Sequence, residues 1–180
     1  MPAGTLSVTG AYTGTAAWTV NAGGALGGTG SIGGPVTLLG ALAPGTSPGT
    51  LTVNNSFTVG SGSVFNFDLS TPSDLADDSL KVVGNLAFLG GINTLNVLKI
   101  GGGNLSAGDY LLADATSLSG LPPTTTINAP LALGDTASIF VDVPNSDLYL
   151  RVESIPEPCL LGLAGLAVAV LAAVNRRQRR

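Results

Sequence analysis

Gly4-Thr5-Leu6-Ser7-Val8 recurs at an offset of 45 residues as Gly49-Thr50-Leu51-Thr52-Val53. In both copies apolar residues alternate with polar ones, and this period of two places one set of side chains on one face of a strand. Glycine pairs and Pro44-Gly45 separate the short apolar stretches between the copies, as is typical of turns. An offset of 45 residues fits two coils of a β-solenoid at about 20 to 25 residues each. We therefore predict an all-β fold with a parallel β-helix or solenoid-like body.

Charge is distributed unevenly, because Asp68 is the first charged residue of the chain. Stacked coils bring equivalent side chains to about 4.8 Å from one another, so repeated charges would repel while Thr, Ser and Asn can hydrogen-bond along the stack. The alternative is a disordered Gly/Ser/Thr linker. The linker is disfavoured because this part of the chain has large aromatic side chains that can be buried, namely Trp18, Phe57, Phe65 and Phe67.

The composition argues against several classes of function. Up to Pro158 the chain has eleven acids and three cations, a net charge of −8, so it has no basic stripe for nucleic acid. The chain has no histidine, which removes the usual general base and the commonest metal ligand. The single cysteine, Cys159, cannot form an internal disulfide. We expect no catalytic residue, no metal and no cofactor.

The pattern divides the chain into three parts: Gly-rich β-solenoid repeats at 1–70, a continuing β-rich region at 71–154, and a tail at 155–180. Longer strands are predicted at 63–69, 80–83, 94–100, 110–113, 139–143 and 148–152. The prolines and threonines of 121–130 predict a loop. Whether 71–154 caps the solenoid or forms a small sandwich is left open.

The tail combines an apolar run with a basic end. Residues 159–174 are 16 consecutive apolar residues. As a helix they would be about 24 Å long, slightly shorter than a bilayer core of about 30 Å. Arg176, Arg177, Arg179 and Arg180 follow, and the positive-inside rule places them in the cytoplasm and the acidic body outside. We predict a single transmembrane helix at 159–174, and a buried core helix is the alternative.

Ile155-Pro156-Glu157-Pro158, the apolar run and the arginine cluster together resemble the PEP-CTERM sorting signal of bacterial exported proteins. The resemblance implies that Pro156, Glu157 and Pro158 are recognised by a membrane-embedded exosortase, and that Arg176, Arg177, Arg179 and Arg180 act as a cytoplasmic stop. It implies an inner-membrane-anchored precursor destined for the cell envelope, the surface or the extracellular matrix. The family commonly has Ser or Thr in place of Cys159, so the processing site stays open. Met1 to Thr5 enters a strand without a signal peptide, so we expect an upstream segment or a misassigned start.

The body also resembles a known family. Residues 26–34 and 42–53 look like autotransporter-associated β-strand repeats, which occur in adhesin-like passenger regions. The resemblance implies a parallel β-helix on the cell surface. It favours a structural or adhesin-like protein of the surface or biofilm matrix, with exopolysaccharide or other surface proteins as partners.

Two sequence motifs resemble ligand-binding sites. Gly28-Thr29-Gly30-Ser31-Ile32-Gly33 has the glycine spacing of a dinucleotide-binding loop, but Gly34-Pro35 prevents a following helix, and no acid lies about 20 residues on. Asp74, Asp77 and Asp78 are candidate calcium ligands, although such residues more often close a turn through their own backbone.

An enzymatic alternative remains, a polysaccharide-active β-helix hydrolase or lyase. It would need a pair of carboxylates, and the candidates are Asp68 with Asp74 or Asp142 with Glu153. Trp18 is the only indole that could carry a sugar.

Overall fold

The computed structural model describes residues 4–46, 48–72, 77–120 and 124–155. Every regular element in these ranges is a strand, which confirms the all-β prediction for this part of the chain. The predicted helix at 159–174 lies outside the described residues, as do Pro156, Glu157, Pro158, Cys159 and the four arginines. Within the described ranges no helix is long and apolar enough to cross a membrane.

The strands are β1 Thr5–Ser7, β2 Ala11–Tyr12, β3 Trp18–Val20, β4 Ala25–Gly28, β5 Ser31–Ile32, β6 Val36–Leu38, β7 Ala41–Pro44, β8 Thr50–Val53, β9 Phe57–Val59, β10 Val64–Leu69, β11 Ser79–Phe88, β12 Ile92–Lys99, β13 Gly108–Ser119, β14 Thr124–Asn128, β15 Thr136–Asp142 and β16 Asp147–Glu153. One sheet has the order β1-β4-β7-β10-β12-β14 and is parallel throughout. In the other sheet β2, β5, β8, β11 and β13 are parallel neighbours, and β3, β6 and β9 form a second parallel row that joins β11. Each of these strands therefore pairs with the strand one coil further along the chain, in a solenoid-like stack.

The 45-residue repeat does not mark two superposed coils, so our interpretation of it was wrong. Its first copy contains β1 of the six-stranded sheet, whereas its second copy contains β8 of the other sheet. Along the six-stranded sheet the offset between paired residues is 20, 16, 23, 30 and 32 residues from coil to coil. The stack constrains only the strands, because the bends between them can take different numbers of residues.

The strands beyond Asp68 extend the same two sheets. β10, β12 and β14 continue the first sheet, and β11 and β13 continue the second. The predicted loop at 121–130 was wrong in part, because β14 occupies Thr124–Asn128 and pairs along its length with β12. The threonines and Ile127 of β14 are β-branched and favour a strand, although the neighbouring prolines had suggested a loop. β15 and β16 form an antiparallel hairpin that pairs with β13.

The core lies between the sheets and consists of apolar side chains stacked from coil to coil. In the first sheet Leu6, Leu26, Leu42, Phe65, Leu95 and Ile127 form one such row. Leu26 and Leu42 are fully buried, while Leu6 in the first described coil is 50% exposed. Burial of the inner members of these rows is the main source of stability in a stack of this kind.

Candidate functional site

The outer side of the first sheet carries a row of asparagines. Asn66, Asn96 and Asn128 occupy equivalent positions on β10, β12 and β14. Asn96 Nδ2 donates to Asn66 Oδ1 at 2.9 Å, and Asn128 Nδ2 donates to Asn96 Oδ1 at 2.8 Å. The amides hold one another in a fixed orientation and remain at least partly exposed. Such a row can offer hydrogen bonds to an extended ligand.

A row of threonines lies on the other sheet. Thr19, Thr37 and Thr58 are paired across β3, β6 and β9, and they alternate with the inward-facing Trp18, Val36 and Phe57 of the same strands. Thr50 and Ser79 are a further cross-strand pair, with their hydroxyl oxygens 2.7 Å apart. The rows of Thr, Ser and Asn that neutral stacking favours are therefore present on both sheets.

Two of the candidate calcium ligands, Asp77 and Asp78, lie in the bend between β10 and β11, and both are buried. Asp78 Oδ1 accepts from the Gly49 amide at 2.9 Å, and its Oδ2 accepts from the Asp68 amide at 3.0 Å. Asp77 Oδ1 accepts from both the amide and the hydroxyl of Ser70. These carboxylates accept from donors at the end of β10, directly after it and in the bend before β8, which agrees with the turn-closing role given as the alternative to calcium binding.

Burial raises the pKa of Asp78 to about 6, and the nearby charges of Asp68 and Asp77 act in the same direction. The two amide hydrogen bonds oppose this rise. Among the described residues no group of three or more His, Cys, Asp or Glu side chains could hold a metal ion. Asp74, the remaining calcium candidate and the proposed partner of Asp68, lies outside the described residues.

Asp142 and Glu153 are not brought together. Glu153 pairs with Thr136 at one end of the β15–β16 hairpin, and Asp142 pairs with Asp147 at the other end. Six residues of antiparallel strand separate the two carboxylates by about 20 Å. Glycoside hydrolysis needs carboxyl groups about 5 to 9.5 Å apart, so this pair does not form such a site.

Gly28 of the glycine-spaced motif and the indole of Trp18 both take part in the packing of the first coils. Gly28 ends β4 with a φ of +102°, and a Cβ there would lie 2.1 Å from the carbonyl oxygen of Val8. The chain continues from it into β5 and then β6, with no helix at Val36. Trp18 heads an inner row and meets Tyr12 edge-on at a centroid distance of 5.0 Å. Trp18 therefore packs at the end of the core and is not part of the outer faces of the sheets.

An aromatic pair on the C-terminal hairpin was not predicted from the sequence. Phe140 and Tyr149 are cross-strand neighbours on β15 and β16, stacked with their centroids 5.3 Å apart and their planes 20° apart. The guanidinium of Arg151 lies 4.3 Å from the Phe140 centroid and binds both oxygens of Asp109. The sequence could have indicated this pair, because Phe140 and Tyr149 alternate along their strands with Ile139 and Leu150, which pack in the core.

Asp77 and Asp78 are thus engaged in bends, and Asp109 and Asp114 in ion pairs, while the outer faces present ordered polar and aromatic side chains. Comparison with known proteins adds no assignment, because no protein-family model and no curated protein matches this chain.

Proposed function

We propose that this chain is a non-catalytic, adhesin-like structural protein of the cell surface or extracellular matrix, delivered there by a PEP-CTERM-type tail. The observation that carries the proposal for the body is the set of outer polar rows, above all the hydrogen-bonded Asn66, Asn96 and Asn128. Many weak hydrogen bonds repeated on a rigid surface, or across many molecules on a cell, can raise avidity by about 10² to 10⁴.

The delivery part of the proposal rests on the sequence of the tail. From the sequence, we expect the two prolines beside Glu157 to favour an extended segment and to prevent the following helix from starting earlier. The arginines after the apolar run favour a cytoplasmic C-terminus. The triplet would then be recognised by an exosortase in the inner membrane, and the acidic body would be released outside.

Topology is tested by adding protease to spheroplasts that express the full chain. We expect the body to be digested while an epitope fused after Arg180 stays protected. Protection of the body would contradict the proposed orientation.

Sorting is tested by replacing Pro156, Glu157 and Pro158 together with alanine. We expect the variant to remain unprocessed in the inner-membrane fraction. The control replaces Val143, Pro144 and Asn145, an exposed turn that also contains a proline, and should be sorted normally. Normal maturation of the first variant would refute the sorting signal.

The enzymatic alternative is tested separately, by assaying glycan hydrolysis and lyase activity alongside cell adhesion. The variants are Asp68→Asn, Asp74→Asn, Asp77→Asn, Asp78→Asn, Asp142→Asn and Glu153→Gln. Glycan cleavage by the parent protein that one folded variant abolishes would replace the adhesive proposal with the enzymatic one.

A further inference from the structure

The outer side of the C-terminal hairpin carries two stacked aromatic rings with charged side chains at both ends. Leu111, Tyr149 and Phe140 are cross-strand neighbours on β13, β16 and β15. The residues that alternate with Tyr149 and Phe140, namely Leu150 and Ile139, pack in the core, so these rings lie on the outer side. Both rings are partly exposed. We call Leu111, Phe140, Tyr149 and the flanking Arg151, Asp142 and Asp147 the hairpin face.

One flank of the hairpin face is neutralised internally. Arg151 Nε and Asp109 Oδ1 are 2.7 Å apart, and the same guanidinium covers Phe140. The arginine holds the pKa of Asp109 below its usual value. This flank is therefore a fixed ion pair that positions the Phe140 ring.

The other flank carries excess negative charge. Asp114, Asp147 and Asp142 form one cross-strand row, in which neighbouring Cα atoms are about 4.5 to 5.5 Å apart. Asp114 pairs with Lys81 at 3.0 Å, but the described ion pairs include no cation for Asp142 or Asp147. Burial, with the charges of Asp114 and Asp142, raises the pKa of Asp147. A cation placed here would relieve this repulsion.

We propose that the hairpin face binds a cationic amino-sugar polymer, with a sugar ring stacked at Tyr149 and an ammonium group at Asp142 and Asp147. Pyranose rings present C–H faces that pack on aromatic side chains, and a positive ammonium complements both the carboxylates and an aromatic ring. This inference deepens the proposed adhesive function, on which it rests for its biological setting.

The geometry favours a polysaccharide over a basic peptide. A peptide that binds a sheet usually adds to a free edge through main-chain hydrogen bonds. The hairpin face is the flat side of paired strands, and β16 at its centre is bonded to both β13 and β15. Recognition here has to proceed through side chains, which suits a flat, extended sugar chain.

The test measures binding of the full chain, in detergent micelles, to soluble glucosamine hexamers and to N-acetylglucosamine hexamers of equal length. We expect the cationic hexamer to bind at least about tenfold more tightly, because only its amines complement the carboxylates. Tyr149→Ala and Asp147→Asn should each weaken that binding at least about fivefold, whereas Tyr149→Phe keeps the ring and should stay within about threefold. Asp135→Asn removes the same charge away from the hairpin face and should change binding less than about twofold.

Equal losses in Asp147→Asn and Asp135→Asn would show unspecific attraction to an acidic body and would overturn the proposal. So would unchanged binding by folded Asp147→Asn, which remains informative even if Tyr149→Ala fails to fold. If oligolysine binds as tightly and shows the same losses, the partner is a basic peptide and the amino-sugar assignment is wrong. These results are independent of sorting, since purified protein is used and the tail triplet is unchanged.

Discussion

The Asp78 carboxylate accepts a hydrogen bond from the Gly49 amide across 29 positions of sequence, with Oδ1 and N 2.9 Å apart. Its other oxygen accepts from the Asp68 amide near the end of β10, so this side chain of the bend before β11 joins β10 to the bend before β8. The space around it is tight, because a Cβ added at Gly45 would lie 2.1 Å from Asp78 Oδ1. Asp78 thus holds two successive coils together at a corner.

Removing this carboxylate should destabilise the stack. Asp78→Ala leaves the partly buried amides of Gly49 and Asp68 without their acceptor, which should lower the free energy of unfolding by about 2 to 4 kcal/mol. Asp114→Ala is the control, because its ion pair with Lys81 is about half exposed and should contribute less than about 1 kcal/mol. Urea denaturation followed by circular dichroism measures both values. Equal losses would show that Asp78 has no special role at this corner.

The same residue predicts a pH dependence. The pKa of Asp78 is about 6 in the folded protein and near its ordinary value of 3.8 in the unfolded chain. The folded state therefore holds the proton more tightly, and the resulting stabilisation is fully present below about pH 3.8 and is lost as the pH rises through about 6. Relative to Asp78→Asn, the wild-type protein should lose about 2 kcal/mol of stability between pH 4 and pH 7. A constant difference between the two unfolding curves over this range would contradict the prediction.

Position within a core row should set the cost of truncation. Leu42→Ala removes a fully buried side chain between Leu26 and Phe65 and should cost about 2 to 5 kcal/mol. Leu6→Ala makes the same change in the same row, but Leu6 is 50% exposed, so roughly 1 kcal/mol is expected. Chemical denaturation of the two variants provides the comparison. Similar losses would mean that the first coil is covered to the same extent as the third.

Close stacking of the first two coils should make Gly28 sensitive to any side chain. Gly28→Ala combines a positive φ with a Cβ 2.1 Å from the Val8 carbonyl oxygen. Gly62→Ala has a similar backbone cost at φ +81°, but its Cβ would meet no atom within 4 Å. We expect Gly28→Ala to lose about 1 to 3 kcal/mol more than Gly62→Ala, since only the former forces the backbones apart. Thermal melting curves recorded side by side would reveal the difference, and its absence would count against the close contact.

The asparagine row predicts a graded effect. Asn96→Ala breaks two side-chain hydrogen bonds and Asn128→Ala breaks one. The respective losses should be about 1 to 2 kcal/mol and about half of that, because each exposed amide bond contributes modestly. Unfolding experiments test the ratio between them. If the terminal substitution costs as much as the central one, the amides do not act as a row.

Local patterns were sufficient for the broad architecture and for several strands. The alternation in Leu6, Val8, Leu51 and Val53 predicted strands, and the absence of charge before Asp68 suited a stack of coils. The longer strands beyond Asp68 were found in approximate position, because their apolar alternation is strong. Local patterns failed at 124–128, where prolines and threonines resembled a loop but a neighbouring strand supplied the hydrogen bonds for β14.

The sequence alone determined that the described chain is β-structured, since side-chain alternation and glycine turns are local properties. Only the tertiary structure decided which residues meet. Asn66 and Asn96 lie 30 residues apart, Asn96 and Asn128 lie 32 apart, and Asp142 is remote from Glu153 although both belong to one hairpin. The physical reason is that contacts between coils depend on how many residues each bend takes up, and the bends of this chain differ in length from coil to coil.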